Sequence, residues 1–251
     1  MNDLTQPGVT SLADPHAPLQ LQVLAVPGRG FEGLKLDKSD LVIPRAKLLQ
    51  ALSPEVAEQK FDGAKAGLII NSLTLEVLPP RVVPIFCWKS WFRFNARSRD
   101  AEGWVDGYDP GALIWRSLDP DDARVVAEAK FGPEGETPLA LTCLNFFSLF
   151  ADAQMPLILS FAKTSYKAGK QMLSLSRFCG GDMWNRAYQV GSDLQKNDQG
   201  TYYTFSVKML GDSSAQERQI AEGWWQEFSE KAKELKVHEE GREETGEAVP
   251  F

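Results

Sequence analysis

Residues 82–95 read VVPIFCWKSWFRFN, a run rich in aromatic and β-branched residues that contains neither glycine nor an acid. Such residues favour extended strands, in which successive side chains point to opposite faces of a sheet. One face of the predicted strand is almost entirely apolar and is expected to line the core. Its members are Val82, Pro84, Phe86, Trp88, Ser90, Phe92 and Phe94. The other face begins with Val83, Ile85 and Cys87 and then becomes polar, with Lys89, Trp91, Arg93 and Asn95.

The polar half of this second face places an aromatic ring, Trp91, between two cations, Lys89 and Arg93. Cations contact phosphates, and an aromatic plane accepts any unpaired base by stacking, which contributes about 1–3 kcal/mol per base. The pattern is therefore typical of a surface that binds single-stranded nucleic acid. The alternative, in which Trp91 packs in the core beneath the aliphatic stems of the two cations, stays open.

The segment FAKTSYKAGKQMLSLSRF, residues 161–178, predicts a second basic surface. A helix is expected from about Ser165 to Arg177, ending at Gly180-Gly181, because glycine tolerates the left-handed conformation that ends helices. Four cations at offsets of 0, 4, 7 and 14 residues would project from one side, with no acid among them. They are Lys163, Lys167, Lys170 and Arg177. An ordinary solvated helix face is the alternative interpretation.

The strand predicted after this helix repeats the alternation of aromatic and basic residues. Trp184, Arg186 and Tyr188 are each two positions apart, so they are expected on one face of that strand. A second occurrence of the same pattern favours nucleic-acid binding over a solvated surface. These three residues therefore join the predicted nucleic-acid-binding set.

Strand patterns dominate the rest of the chain, and helices are few. A pair of short helices is expected in PRAKLLQALSPEVAEQKF, where Ser53 and Pro54 suit the first positions of a helix. A last helix is expected from the capping-box spacing of Ser214 and Glu217 to about Lys236. Strands are expected at 67–77, 82–95, 112–116, 139–147, 157–163, 184–190 and 202–210. The predicted fold class is α+β and mainly antiparallel, an OB-like barrel with an inserted helix and a C-terminal helix.

Length and composition predict the organisation of the chain. Its 251 residues are 43% hydrophobic and 24% charged, which is typical of a soluble globular protein. An irregular N-terminal arm is expected at 1–20, a single OB-like domain that binds single-stranded DNA at 21–237, and an acidic flexible tail at 238–251. No secretory signal and no apolar run near the roughly 20 residues of a membrane span is visible, so a cytoplasmic location without a membrane partner is expected. The three cysteines, which suit no disulfide framework, are expected to be reduced and buried: Cys87, Cys143 and Cys179.

The last thirteen residues, EEGREETGEAVPF, hold five glutamates and one arginine, whereas residues 81–99 hold five cations and no acid. The net charge of −7 is thus segregated along the chain and does not exclude a nucleic-acid partner. This ending resembles the acidic tip of bacterial single-stranded DNA-binding proteins, which finish in acids followed by a Pro-Phe pair, and the tails of their phage equivalents. The resemblance implies that the tip docks replication and repair proteins and that the tail competes with DNA for the basic groove. The implied partner-binding residues are Glu243, Glu244, Glu247, Pro250 and Phe251.

Three internal blocks, within roughly 41–210, resemble segments of phage-encoded proteins thought to bind single-stranded DNA. They are 43–50, 70–74 and 159–170. The resemblance implies that Lys163, Lys167 and Lys170 lie on the DNA side. The expected protein coats and protects single strands during phage replication or recombination in the host cytoplasm. Its expected partners are single-stranded DNA and replication or repair proteins, with a homo-oligomer left open.

An enzyme is the weaker interpretation of this sequence. The two histidines, His16 and His238, lie in the terminal segments, which disfavours a histidine-based triad or a zinc site in the body of the chain. No Walker A or dinucleotide-binding fingerprint occurs, and no metal or other cofactor is expected. The runner-up function is a metal-dependent nuclease of PD-(D/E)xK type that uses Asp121, Glu128 and Lys130. A Pro-Asp turn that leads into a charged helix or strand explains the same residues, and a non-enzymatic function is favoured.

Overall fold

The computed structural model describes residues 43–133, 135–151, 155–197 and 200–229 of the protein. Within these ranges the chain is α+β, and eight strands form one sheet. The strands are β1 (Arg45–Leu48), β2 (Ile69–Asn71), β3 (Arg81–Phe94), β4 (Leu113–Ser117), β5 (Leu141–Phe150), β6 (Leu157–Ala162), β7 (Arg186–Asn197) and β8 (Gly200–Asp212). The helices are α1 (Pro54–Ala57), α2 (Ala123–Glu128), α3 (Tyr166–Phe178) and α4 (Ala215–Phe228), with 3-10 turns at Lys163–Ser165 and Met183–Asn185.

The sheet runs in the order β2-β1-β6-β5-β3-β7-β8 and curls into a half-barrel. All its pairings are antiparallel except the one between β1 and β6. The long strand β3 pairs with three strands. Strand β5 pairs along one of its edges, and two different strands share the other edge. On that second edge, β7 pairs with Arg81 and Val82 at the start of β3, and β4 pairs with the end of β3 from Trp91 onward.

A β-bulge in β3 exchanges the two faces of this strand. Pro84 lies opposite Ser148 of β5 and Phe86 lies opposite Phe147, so Ile85 is the extra residue. An insertion of one residue moves every later side chain to the other face of a sheet. The two faces predicted with a strict period of two are therefore wrong, because the residues after Ile85 lie on the face opposite to the predicted one. The observed sets are Val83 and Ile85 with Phe86 and Trp88 on one face, and Val82 with Cys87 on the other.

Helices α3 and α4 cover opposite faces of the sheet. Phe146 of β5 belongs to the core cluster that includes Met172 of α3. The next residue, Phe147, belongs to the cluster that includes Ala221 of α4, and its ring centroid lies 5.7 Å from that of Phe228. Because successive strand residues point to opposite faces, these two clusters form two separate halves of the core. A smaller third cluster, around Trp115, packs beneath α2.

The prediction of a mainly antiparallel α+β chain is confirmed, and so is the helix near residues 165–177. The capping box of Ser214 and Glu217 is present at the start of α4. Residues 45–48, predicted as helical, instead form β1 between β2 and β6, because strand pairing overrides helix propensity. The strand predicted at 67–77 is limited to β2, and the short helix α2 is not among the predicted helices. None of the helices in the described ranges is both long and apolar enough to cross a membrane.

The three cysteines are free thiols, as expected. Cys143 is buried, whereas Cys87 and Cys179 are only half-buried, so the expectation of burial holds for Cys143 alone. Burial raises the pKa of the Cys143 thiol to about 11, which keeps this side chain neutral at physiological pH. It therefore packs as a small apolar residue.

Candidate nucleic-acid interface

The exposed side of α3 carries the basic residues that the sequence predicts. Ala168, Gly169, Met172 and Ser176 of this helix are buried against the sheet. Gly169 permits the close approach, because a Cβ at this position would lie 2.6 Å from the Cβ of Phe161. The opposite side of α3 is solvent-exposed. It carries Lys167, Lys170, Gln171, Ser174, Arg177 and Phe178.

We call Lys167, Lys170 and Arg177 the α3 basic row. All three side chains are exposed, and α3 contains no acid, so no carboxylate of this helix neutralises them. The Lys170 ammonium lies 5.6 Å from the ring centroid of Tyr166, a cation–π contact that positions the charge over the first turn. The row therefore presents three positive charges on one rigid element.

The start of α3 is tied to the edge of the sheet. The backbone N–H of Phe205 in β8 donates to the Ser165 hydroxyl at 3.0 Å. Lys163, two residues earlier, is exposed and has a backbone φ of +50°, a left-handed conformation that is uncommon for residues other than glycine. The chain thus turns sharply between β6 and α3, with Lys163 at the turn. Lys167, Lys170 and Arg177 therefore share one side of the helix as predicted, whereas Lys163 lies in the 3-10 turn before it and is not part of α3.

Trp91 does not lie on an exposed surface, and the prediction that it does is wrong. Its exposed fraction is 9%, and it packs with Trp115, Val125 and Ala140 beneath α2. The structure instead shows the alternative given in the sequence analysis, in which Trp91 packs in the core. Lys89, two residues earlier, is exposed as expected.

Arg93 is held by protein contacts instead of facing solvent. Its guanidinium donates to the Glu128 carboxylate at 2.6 Å and to the Gly103 carbonyl at 3.0 Å. The other Glu128 oxygen accepts from Trp115 Nε1 at 3.0 Å. Glu128 therefore fastens α2 to strands β3 and β4.

The residues predicted on β7 do not share one face. Tyr188 is fully buried on the α3 side, where its hydroxyl and that of Ser176 are 2.8 Å apart, and burial raises the pKa of Tyr188. Trp184 lies in a 3-10 turn before β7, on the α4 side, with its ring centroid 5.8 Å from that of Trp225. Arg186 is hydrogen-bonded to Asp212. The prediction of a single aromatic and basic face here is wrong, because the strand begins later than expected and carries a bulge after Ala187.

The nuclease alternative rests on residues that are differently engaged in the structure. Glu128 contacts Arg93 and Trp115, as described above, while Asp121 and Lys130 are exposed. The Asp121 N–H donates to Asp119 Oδ1 at 2.9 Å, which is the geometry of a turn. In the described ranges, no group of three or more His, Cys, Asp or Glu residues is arranged to hold a metal ion.

Phe178, the last residue of α3, is an exposed ring that the sequence interpretation missed. Its exposed fraction is 87%. A helical projection would have found it, because Phe178 follows Lys167 by eleven positions and three turns of helix take close to eleven residues. An apolar residue on the polar side of an amphipathic helix is the relevant signal. The tail residues Glu243, Glu244, Glu247, Pro250 and Phe251 lie outside the described part of the chain.

Comparison with known proteins places the chain in a family of phage proteins. No curated protein and no solved structure matches the chain. A family model described as Pam3 phage gp34-like protein matches residues 10–234, which include every residue that the structure describes. The match extends over most of the 251 residues. The chain therefore belongs to the Pam3 phage gp34-like protein family.

Proposed function

We propose that this protein is a non-enzymatic single-stranded DNA-binding protein, which coats and protects single strands during phage replication or recombination. The observation that carries the proposal is the α3 basic row, three exposed cations on a helix without an acid. Phosphate contacts by lysine and arginine dominate the affinity of proteins for nucleic acids, because each contact releases condensed counterions. A rigid row of cations supplies such contacts in a fixed geometry.

The dimensions of the row suit a short stretch of backbone. Lys167 and Arg177 are ten residues apart, which corresponds to about 15 Å along a helix with a rise of about 1.5 Å per residue. Lys163 extends the basic surface toward β6, and Lys89 adds an exposed cation on β3. A strand that follows α3 would meet a cation at intervals of one to two helical turns.

The curled sheet is compatible with the same function. We infer that the half-barrel is of the OB-like type, a partly open barrel that binds oligonucleotides in other proteins. The net charge of −7 is compatible with this function because the charges are segregated along the chain. The acidic C-terminal residues account for −4 of it. On this proposal the tail competes with DNA at the basic surface, and its tip recruits replication or repair proteins in the host cytoplasm.

The experiment compares two triple variants that remove the same charge. One variant, Lys167→Ala, Lys170→Ala and Arg177→Ala, deletes the α3 basic row. The control, Lys60→Ala, Lys65→Ala and Lys130→Ala, deletes three exposed lysines near α1 and α2. Both variants carry a formal charge of −10 instead of −7, so a general charge effect is common to both.

The proposal predicts that the α3 variant loses at least about tenfold in affinity for an unstructured oligonucleotide at low salt, whereas the control loses much less. Both variants should unfold at the same urea concentration as the wild type, because exposed substitutions change stability by about 0.5 kcal/mol or less. Equal losses in the two variants would contradict the assignment to α3. Degradation of the labelled oligonucleotide in the presence of Mg²⁺ would contradict the non-enzymatic part of the proposal.

A further inference from the structure

We infer that Phe178 stacks on an unpaired base and thereby makes the α3 basic row select single strands over duplex. The inference rests on the proposed function and identifies the residue that discriminates between the two forms of DNA. Cations alone contact the phosphates of single and double strands alike. A ring that stacks on a base can act only where the base is not already stacked inside a duplex.

The exposure of Phe178 is the first observation. Its exposed fraction is 87%, the highest of the large apolar side chains in the described ranges, and the second is 72% at Phe131. The apolar side of α3 faces the sheet, where Met172 is fully buried. Phe178 therefore lies on the side of the helix where only polar and charged residues are expected.

The path of the chain after α3 leaves the ring uncovered. Gly180 and Gly181 follow with φ values of +71° and +74°, so two consecutive left-handed residues end the helix. Among the residues that the structure describes, a Cβ at Gly180 would meet no atom within 4 Å. Cys179, between the ring and these glycines, packs with its sulfur 3.8 Å from the sulfur of Met209 in β8, which fixes the helix end against the sheet. The ring thus lies at the end of a helix that packs against the sheet, with open space beside it in the described part of the chain.

The charges beside Phe178 supply the second part of the site. Arg177 directly precedes it, and Lys170 and Lys167 lie two and three turns earlier on the exposed side of the same helix. A strand whose phosphates follow these cations would bring a base to the end of α3. Base–aromatic stacking tolerates every sequence, because each base has a π-face. The ligand class is therefore unpaired nucleotides without base specificity.

The test measures binding of an oligonucleotide and of a duplex of equal length to the wild type, Phe178→Ala and Phe178→Trp. Phe131→Ala is the matched control, since it deletes an exposed ring that lies on the loop after α2. Phe178→Ala should weaken single-strand binding about five- to 150-fold, without a change in the salt dependence of binding, because stacking releases no counterions. Duplex binding should stay the same, Phe178→Trp should restore single-strand affinity, and Phe131→Ala should change neither. The urea midpoints of all variants should equal that of the wild type, since both rings are exposed.

Several results would overturn the inference. Unchanged single-strand affinity in Phe178→Ala would remove the stacking contact while leaving the proposed function in place. An equal loss on single strands and duplex would show that Phe178 does not discriminate between them. A wild type that binds no single-stranded DNA at all would instead overturn the proposed function, and this inference with it. Direct photocrosslinking of oligo(dT) to the wild type, mapped by mass spectrometry, should label Phe178 and not Phe131.

Discussion

Gln50 and Tyr203 are joined by two hydrogen bonds that connect the two ends of the curled sheet. The Tyr203 N–H donates to Gln50 Oε1 at 2.8 Å, and Gln50 Nε2 donates to the Tyr203 carbonyl at 3.0 Å. Gln50 follows β1 and Tyr203 lies in β8, and these strands do not pair with each other through their backbones. The side-chain amide of Gln50 therefore satisfies the backbone N–H and carbonyl of Tyr203, as a neighbouring strand would at this edge of β8. Gly67 lies against the same point, because a Cβ there would be 2.6 Å from the Tyr203 ring.

Gln50→Ala should destabilise the protein by about 1–3 kcal/mol, because the N–H and carbonyl of Tyr203 would lose their partners in a half-buried place. Urea unfolding followed by circular dichroism measures the change. Gln219→Ala is the control, since Gln219 is an exposed glutamine of α4 and its loss should cost about 0.5 kcal/mol or less. Equal unfolding free energies for the two variants would show that the Gln50 contact does not hold the sheet ends together.

A buried ion pair should make part of the stability depend on pH. Glu217 is fully buried and accepts hydrogen bonds from Arg81 Nε at 2.8 Å and Arg81 Nη2 at 3.0 Å. Burial acts to raise the pKa of Glu217, but the hydrogen bonds and the charge of Arg81, with the N–H of Ser214, outweigh it and lower the pKa below its ordinary value of 4.5. A lowered pKa stabilises the fold above pH 4.5, and this contribution is lost as the pH falls through the pKa of the folded state.

Glu217→Gln should therefore cost about 3–5 kcal/mol at pH 7, because the buried ion pair with Arg81 is broken when Glu217 loses its charge. The difference between wild type and variant should shrink as the pH is lowered from 4.5 towards the lower pKa of Glu217 in the folded state, at which the wild type also loses its charge. Urea unfolding at pH 7, 5 and 4 measures it, and Glu222→Gln, on the exposed side of α4, serves as the control. A difference that does not change with pH would contradict the role assigned to the ion pair.

Trp91→Ala should behave as a core substitution. The side chain packs with Trp115 and Val125, so truncation should destabilise the protein by about 3–5 kcal/mol. Trp91→Phe, which keeps most of the packing, should stay folded at 25 °C and bind single-stranded DNA with the affinity of the wild type. If the Trp91→Phe protein were well folded but bound DNA clearly more weakly, Trp91 would have a role in DNA binding and this account of it would be contradicted.

Local patterns in the sequence predict the two longest helices and the positions of most strands, but they do not predict α2 or which strand residues are exposed. The helix at 165–177 and the capping box at Ser214 depend on neighbouring residues, and both are correct within a residue or two. The burial of Trp91 depends on β4 and α2, which reach it from more than twenty residues away. The extra residue Ile85 is a second cause of error, because a bulge is set by pairing with β5 and leaves no mark on the alternation itself. The basic side of α3 is predictable because the face of a helix is defined by the helix's own sequence. The burial of Tyr188 is not, because it depends on packing against α3.

Removal of residues 239–251 should strengthen DNA binding at low salt. The deletion takes away five glutamates and one arginine and changes the formal charge from −7 to −3. The gain in affinity should decrease as salt is added, because exposed charges are screened beyond about 8–10 Å near physiological ionic strength. Deletion of Phe251 alone should leave DNA affinity unchanged while it abolishes recruitment of a replication or repair partner. If removal of the whole tail left both DNA affinity and recruitment of the partner protein unchanged, the tail would neither compete with DNA nor recruit a partner.

A salt titration of wild-type binding to an oligonucleotide and to a duplex of equal length tests the central claim most directly. If the three cations of the α3 basic row each contact one phosphate, log K on single strands should fall with log salt with a slope of about −0.7 × 3, or roughly −2. Single strands should bind more tightly than the duplex at every salt concentration. A salt-independent affinity, or a duplex affinity equal to or above that for single strands, would contradict the account.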